Sequence, residues 1–134
     1  MLDRHDTARL RLEEELIVWL TTVSEEGRPQ SSAVWFLVEG DGLLVYSGET
    51  ATRMGNLEHN PKVAVNLRGD RRGDEIVTME GEARVDPAAP APKDNPPYLE
   101  KYGAEIERLG WTPETFTEEF PVALRIRIDR IRAW

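Results

Sequence analysis

The residues best suited to chemistry lie between 46 and 61, in the run YSGETATRMGNLEHNP. Four hydroxyl side chains (Tyr46, Ser47, Thr50 and Thr52) lead to one arginine, Arg53, and then to a short helix-like run that stops at Pro61. Hydroxyls and a lone cation are groups that bind. They supply no nucleophile–base pair and no set of metal ligands. A plain polar loop would also read this way, so the meaning of the run depends on the rest of the chain.

Other chemistries are easier to exclude. The chain has no cysteine, which removes disulfides, thiolate metal sites and a thiol nucleophile. Its two histidines, His5 and His59, stand far apart, and His59 at a helix end is better explained by the helix dipole than by a metal. The carboxylates fall on helix faces or in turns, with no acid–base pair that spacing singles out. No GxGxxG, phosphate-binding GxxxxGK, GxSxG or HExxH motif is present. The arginines of RGDRRGD (Arg68, Arg71, Arg72) suit a solvated hairpin tip, with an anion clamp as the functional alternative. With 25 acids against 17 bases the net charge is −8, which disfavours nucleic acid and anionic membrane as main partners.

The elements that must position these residues follow from pattern. The 134 residues suit one domain, 1–134, of modest core. The first fifteen are charged and lack a secretory h-region, and no apolar run approaches a membrane span, so a cytoplasmic protein is expected. DTARLRLEEELI predicts a helix capped by Asp6 or Thr7, with Ala8, Leu12 and Leu16 on one face. Strands are predicted over 16–23, 30–39, 43–47, 62–69 and 75–85, the first three joined by turns at SEEGRP and GDG. Five of the nine prolines crowd 86–97, which predicts a surface crossing. YLEKYGAEIERLG aligns Tyr98, Tyr102, Ile106 and Leu109 on one helical face, and TPETF starts another helix with a threonine cap and proline behind it. In the last segment Leu124, Ile126 and Ile128 alternate with Arg125, Arg127 and Asp129, a half-buried strand. The expectation is a mainly β (α+β) fold of about six strands and three or four peripheral helices, an antiparallel barrel or sandwich.

Two stretches, GRPQSSAVWF and DGLLVYSGETATRMGNLEHNPKVAVNL, resemble the pyridoxamine-phosphate-oxidase-like flavin and deazaflavin family. The likeness spans roughly residues 8–85, with ALRIRIDRIRAW also similar, and is greatest to the branch of coenzyme F420 (deazaflavin)-dependent reductases. It implies a split antiparallel β-barrel and a homodimer with cofactor sites between the subunits. It further implies that Gln30, Ser31, Ser32, Ala33, Val34 and Trp35 line the ring. Tyr46, Ser47, Thr50, Thr52 and Arg53 would cradle the phosphate, and Asn56 the start of the following helix. A phosphate diester is well served by hydroxyls, a cation and free N–H groups at a helix N-terminus. For Trp35 a place in the core or the dimer interface is an equal expectation. The implied function is hydride transfer from reduced F420 to an electron-poor small organic substrate. FMN as cofactor, or a cofactor-sequestering protein without turnover, are the alternatives. One departure stands out: relatives carry two basic residues two apart before Asn-Leu, and here the second is Gly55.

Overall fold

The computed structural model describes residues 2–134, Asp3 by its backbone alone. Seven strands form one antiparallel sheet: β1 (Val18–Val23), β2 (Pro29–Val34), β3 (Leu37–Glu39), β4 (Gly42–Ser47), β5 (Lys62–Asn66), β6 (Val77–Val85) and β7 (Val122–Ala133). Four helices accompany it: α1 (Asp6–Glu14), α2 (Thr52–His59), α3 (Pro96–Arg108) and α4 (Pro113–Glu119). The strand order is β2-β1-β5-β6-β7-β4-β3.

That order explains the curl of the sheet. The segment expected as one strand over 30–39 is two strands, and they lie on opposite edges. Residues 29–34 pair with β1, from Pro29↔Val23 to Val34↔Val18, whereas Leu37–Glu39 pair with β4. Chain continuity through Trp35 and Phe36 therefore draws the two edges together into a split barrel. This division also makes the strand count seven where six were expected.

At the change of partner the backbone leaves the ladder, and its polar groups need other partners. Tyr102 of α3 supplies one. Its hydroxyl accepts from Phe36 N at 2.8 Å and lies 2.8 Å from Leu16 O and 2.9 Å from Phe36 O, either of which takes its proton. Lys101 Nζ donates to Phe36 O at 3.1 Å and sits over the Phe36 ring.

Two cores result. The first fills the concave face: alternate residues of β1, β5, β6 and β7 pack with Phe36, Leu43 and Val45, and Leu12 and Leu2 reach them from the N-terminal segment. A fully buried leucine such as Leu12 contributes about 1.5–3 kcal/mol. The second lies between the outer side of β4 and β7 and the helices α3 and α4, and is built from Leu44, Tyr46, Tyr98, Tyr102, Ile106 and Phe116. β4 is thus buried from Leu43 to Ser47 because both of its faces are covered.

Several boundaries shift for local reasons. His5, rather than Asp6 or Thr7, caps α1, its Nδ1 accepting from Ala8 N, and Leu16 lies beyond the helix end at 43% exposure. α3 starts two residues early because Asn95 caps it and Pro96 and Pro97 occupy the first turn, where no N–H is needed. Thr112 and Pro113 open α4 as expected, with a reciprocal Thr112–Thr115 capping box. In β7 the alternation holds: Leu124, Ile126 and Ile128 are buried, while Arg125 pairs with Glu39 and Asp86.

Replacing Tyr102 by Phe leaves the buried Phe36 N–H without its partner. The expected loss is about 1–3 kcal/mol, read as a fall of several degrees in the melting temperature, with the helical content in circular dichroism preserved.

Candidate functional site

Arg53 is the centre of the site. It lies in the first turn of α2, whose N-cap, Ala51, offers no side chain to the helix N–H groups. Its guanidinium reaches back over the sheet: Nη1 donates to Ser47 Oγ at 2.9 Å and Nη2 to Ser32 Oγ at 3.1 Å. Neither acceptor is charged, and among the described residues no carboxylate forms an ion pair with it. Burial pushes its pKa below the usual arginine value, by desolvation. Its Nε is buried without any hydrogen-bond partner. A half-buried cation with unspent donors is costly to the fold unless something anionic meets it.

Two adjoining compartments share this side chain. A polar one of about 290 Å³ is lined by Thr22, Gln30, Ser31, Ser32, Thr52, Arg53 and Asn56. Its floor is held by Asn56, which is buried on the inner side of α2. The amide Nδ2 donates to Thr22 Oγ1 and to Gln30 Oε1, both at 2.8 Å. Thr21 and Ser31 share a hydrogen bond of 2.7 Å across the β1–β2 ladder. The second compartment, of about 300 Å³, combines Ala33, Val34, Trp35 and Tyr46 with residues of the helical layer, among them Tyr98, Trp111, Phe116 and Phe120. Trp35 lies parallel to Tyr102 at 4.6 Å and to Phe116 at 5.5 Å between centroids.

The twelve residues singled out by resemblance thus separate into groups. Gln30, Ser31, Ser32, Thr52, Arg53 and Asn56 come together around the polar compartment, and Ala33, Val34, Trp35 and Tyr46 face the aromatic one. Ser47 is fully buried behind Arg53, where it orients the guanidinium and donates to Gly48 O. Tyr46 spends its hydroxyl on Pro90 O at 2.6 Å while accepting from Asn95, and burial raises its pKa. Thr50 is exposed in the loop ahead of α2, outside both compartments. Arg68 pairs with Glu15, and neither it nor Arg71 and Arg72 lines either compartment. His59 faces Glu25 at the far end of α2.

Sequence reasoning missed Thr22 and the helical wall. Thr22 reads as an ordinary strand residue, and its inward direction appears only once the sheet curls. Tyr98 was visible on a helical face, but the strand face it meets was not. At Gly55 there is open space: a Cβ would touch nothing within 4 Å.

The fold and this cleft define a class, an open antiparallel barrel with a partly buried arginine beside an aromatic slot. The chain belongs to the pyridoxamine 5'-phosphate oxidase family, whose profile matches residues 5–134. Among curated proteins none matches the sequence. Solved structures share the fold. The conserved hypothetical protein Rv2991 from Mycobacterium tuberculosis superposes with a TM-score of 0.74 at 20% identity, over 95% of this chain and 82% of that one. An F420 reductase gives 0.66 at 23% identity, over 90% and 92%. HutZ, a heme storage protein from Vibrio cholerae, gives 0.65 at 20% identity, over 94% and 92%. At these identities the likeness is one of fold.

Because Arg53 has no acid partner among the described residues, replacing it by Met removes a desolvated charge while Ser47 keeps its bond to Gly48 O. The expected melting temperature is no lower than that of the parent protein. A drop of about 4 °C or more would show that Arg53 is a structural residue.

Proposed function

We propose that the protein is an oxidoreductase that holds coenzyme F420 and reduces an electron-poor small organic molecule. The observation that carries this reading is the Arg53 guanidinium, unpaired and partly buried where a polar compartment meets an aromatic one.

The residues fit such a group. Arg53, Thr52, Ser31 and Ser32, with the uncapped first N–H groups of α2, are the donors a phosphate diester requires. Asn56 ties the middle of α2 to Thr22 and Gln30, so the donor set is organised before any ligand arrives. When bound, the deazaflavin supplies the hydride; the chain supplies orientation and a dry wall. The aromatic side chains exclude water from one side of the cleft. Among the described residues no carboxylate or imidazole lines the aromatic compartment, and the hydroxyl of Tyr46 is committed to Pro90 O, so no catalytic acid is assigned and the proton comes from solvent or from a residue not identified. A second copy of the chain would complete the cleft. The exposure of Trp19 at 43% and Trp134 at 61% agrees with that expectation.

Support also comes from the resemblance to F420-dependent reductases and from the shared fold of an F420 reductase. The single cation is the weak point of the donor set, and the open position at Gly55 allows it to be tested.

Equilibrium binding of F420 and of FMN to the purified protein is the test. F420 is expected to bind, with affinity reduced about tenfold or more in Arg53→Ala, the loss of one charge-assisted contact. Gly55→Lys is expected to tighten binding and to stabilise α2 by about 0.5–1 kcal/mol. Binding of FMN alone would replace the cofactor. F420 that binds tightly but, once reduced, is never reoxidised by a panel of enones would replace the enzyme with a sequestering protein.

A further inference from the structure

The aromatic compartment has a ligand chemistry of its own. Its walls are almost wholly aromatic and aliphatic, and among its lining residues Arg53 carries the only charge. Cations find no acid there. The Tyr46 hydroxyl already serves Pro90 and Asn95, which leaves it no donor for a guest. The lining by Trp35, Trp111, Phe116 and Phe120 favours a flat guest, because aromatic side chains meet a ring at its faces and edges alike. A volume of about 300 Å³ lies at the small end of ligand sites, enough for one or two fused rings.

The outer wall is built, not incidental. α3 ends with Gly110 in the left-handed region at φ 84°. Gly110 N bonds Glu107 O and Trp111 N bonds Ile106 O, both at 3.0 Å. These paired bonds are a Schellman motif, which fixes the direction of the residue that follows the glycine. Trp111 is thereby turned back onto Phe116, edge to face at 6.3 Å, and closes the slot.

We propose that this slot binds a planar aromatic monoanion, an arenecarboxylate, with its ring among Trp35, Trp111 and Phe116 and its carboxylate on Arg53. The choice of an anion over a neutral guest rests on Arg53 being the sole charge in the lining, with no acid paired to it among the described residues. Charge selects the guest at one end and the Trp111 wall sets its thickness and length. The site shares Arg53 with the phosphate cradle proposed above, so the two ligands compete for one guanidinium, and binding of the acid is read without cofactor.

Calorimetric titration of the cofactor-free protein with naphthalene carboxylate and with its methyl ester tests the site. The acid is expected to bind at least about tenfold more tightly than the ester, the worth of a charge-assisted contact. Arg53→Met is expected to remove the difference between the two ligands, and Trp111→Ala to weaken the acid about tenfold or more through lost aromatic contact. Equal affinity for acid and ester overturns the proposal, as does an unaltered preference in Arg53→Met. If F420 fails to bind while the acid binds, this site stands and the cofactor assignment falls; the reverse result removes only this site.

Discussion

The structure depends on one hydroxyl group. Where residues 29–39 change partner from β1 to β4, the backbone of Phe36 has no neighbouring strand, and Tyr102 meets it instead. Without such a partner a buried N–H would cost about as much as several well-made hydrogen bonds gain. The same side chain ties Leu16, just ahead of β1, to the switch and carries α3 onto the outside of the sheet. Trp35 stacks on it, so the geometry of the aromatic slot descends from the contact that closes the barrel.

Arg53 shows the opposite economy. Burial of a cation among hydroxyls weakens the fold, and the surrounding structure keeps it in place: Ser47 from β4, Ser32 from β2 and the first turn of α2. Groups that are poorly satisfied in the folded chain are where a ligand has most to contribute. Rigid neighbours matter here, since a donor that must be ordered at the moment of binding gives back much of its interaction energy.

The helical layer makes the cleft asymmetric. One side is polar and formed by β1, β2 and α2. The other is apolar and formed by α3, α4 and the residues that flank them, against the end of β2 and Trp35. The crossing is anchored by Tyr46 to Pro90 and by Asn95 to Tyr46, with Lys93 N bonded to Thr117 Oγ1. Its prolines cannot serve as ladder donors, so side chains and caps do the holding.

Much of this was legible in the sequence because it is local. The alternation in β7, the glycine turn at Gly27, the cap at Thr112 and the stop at Pro61 each depend on a few adjacent residues. The cluster of hydroxyls with one arginine was visible too, as was the lack of cysteine. The sequence could not say that 30–39 is two strands on opposite edges, because an extended run looks the same whichever neighbour it pairs with. Nor could it separate Ser47, which points inward to hold Arg53, from Ser32 and Thr52, which face the cleft. Those roles depend on contacts between residues six to sixty-six positions apart. Residue types and spacing determined which polar groups were available; curling the sheet decided which of them face one cleft together, because only tertiary packing chooses the direction of a side chain and the company it keeps.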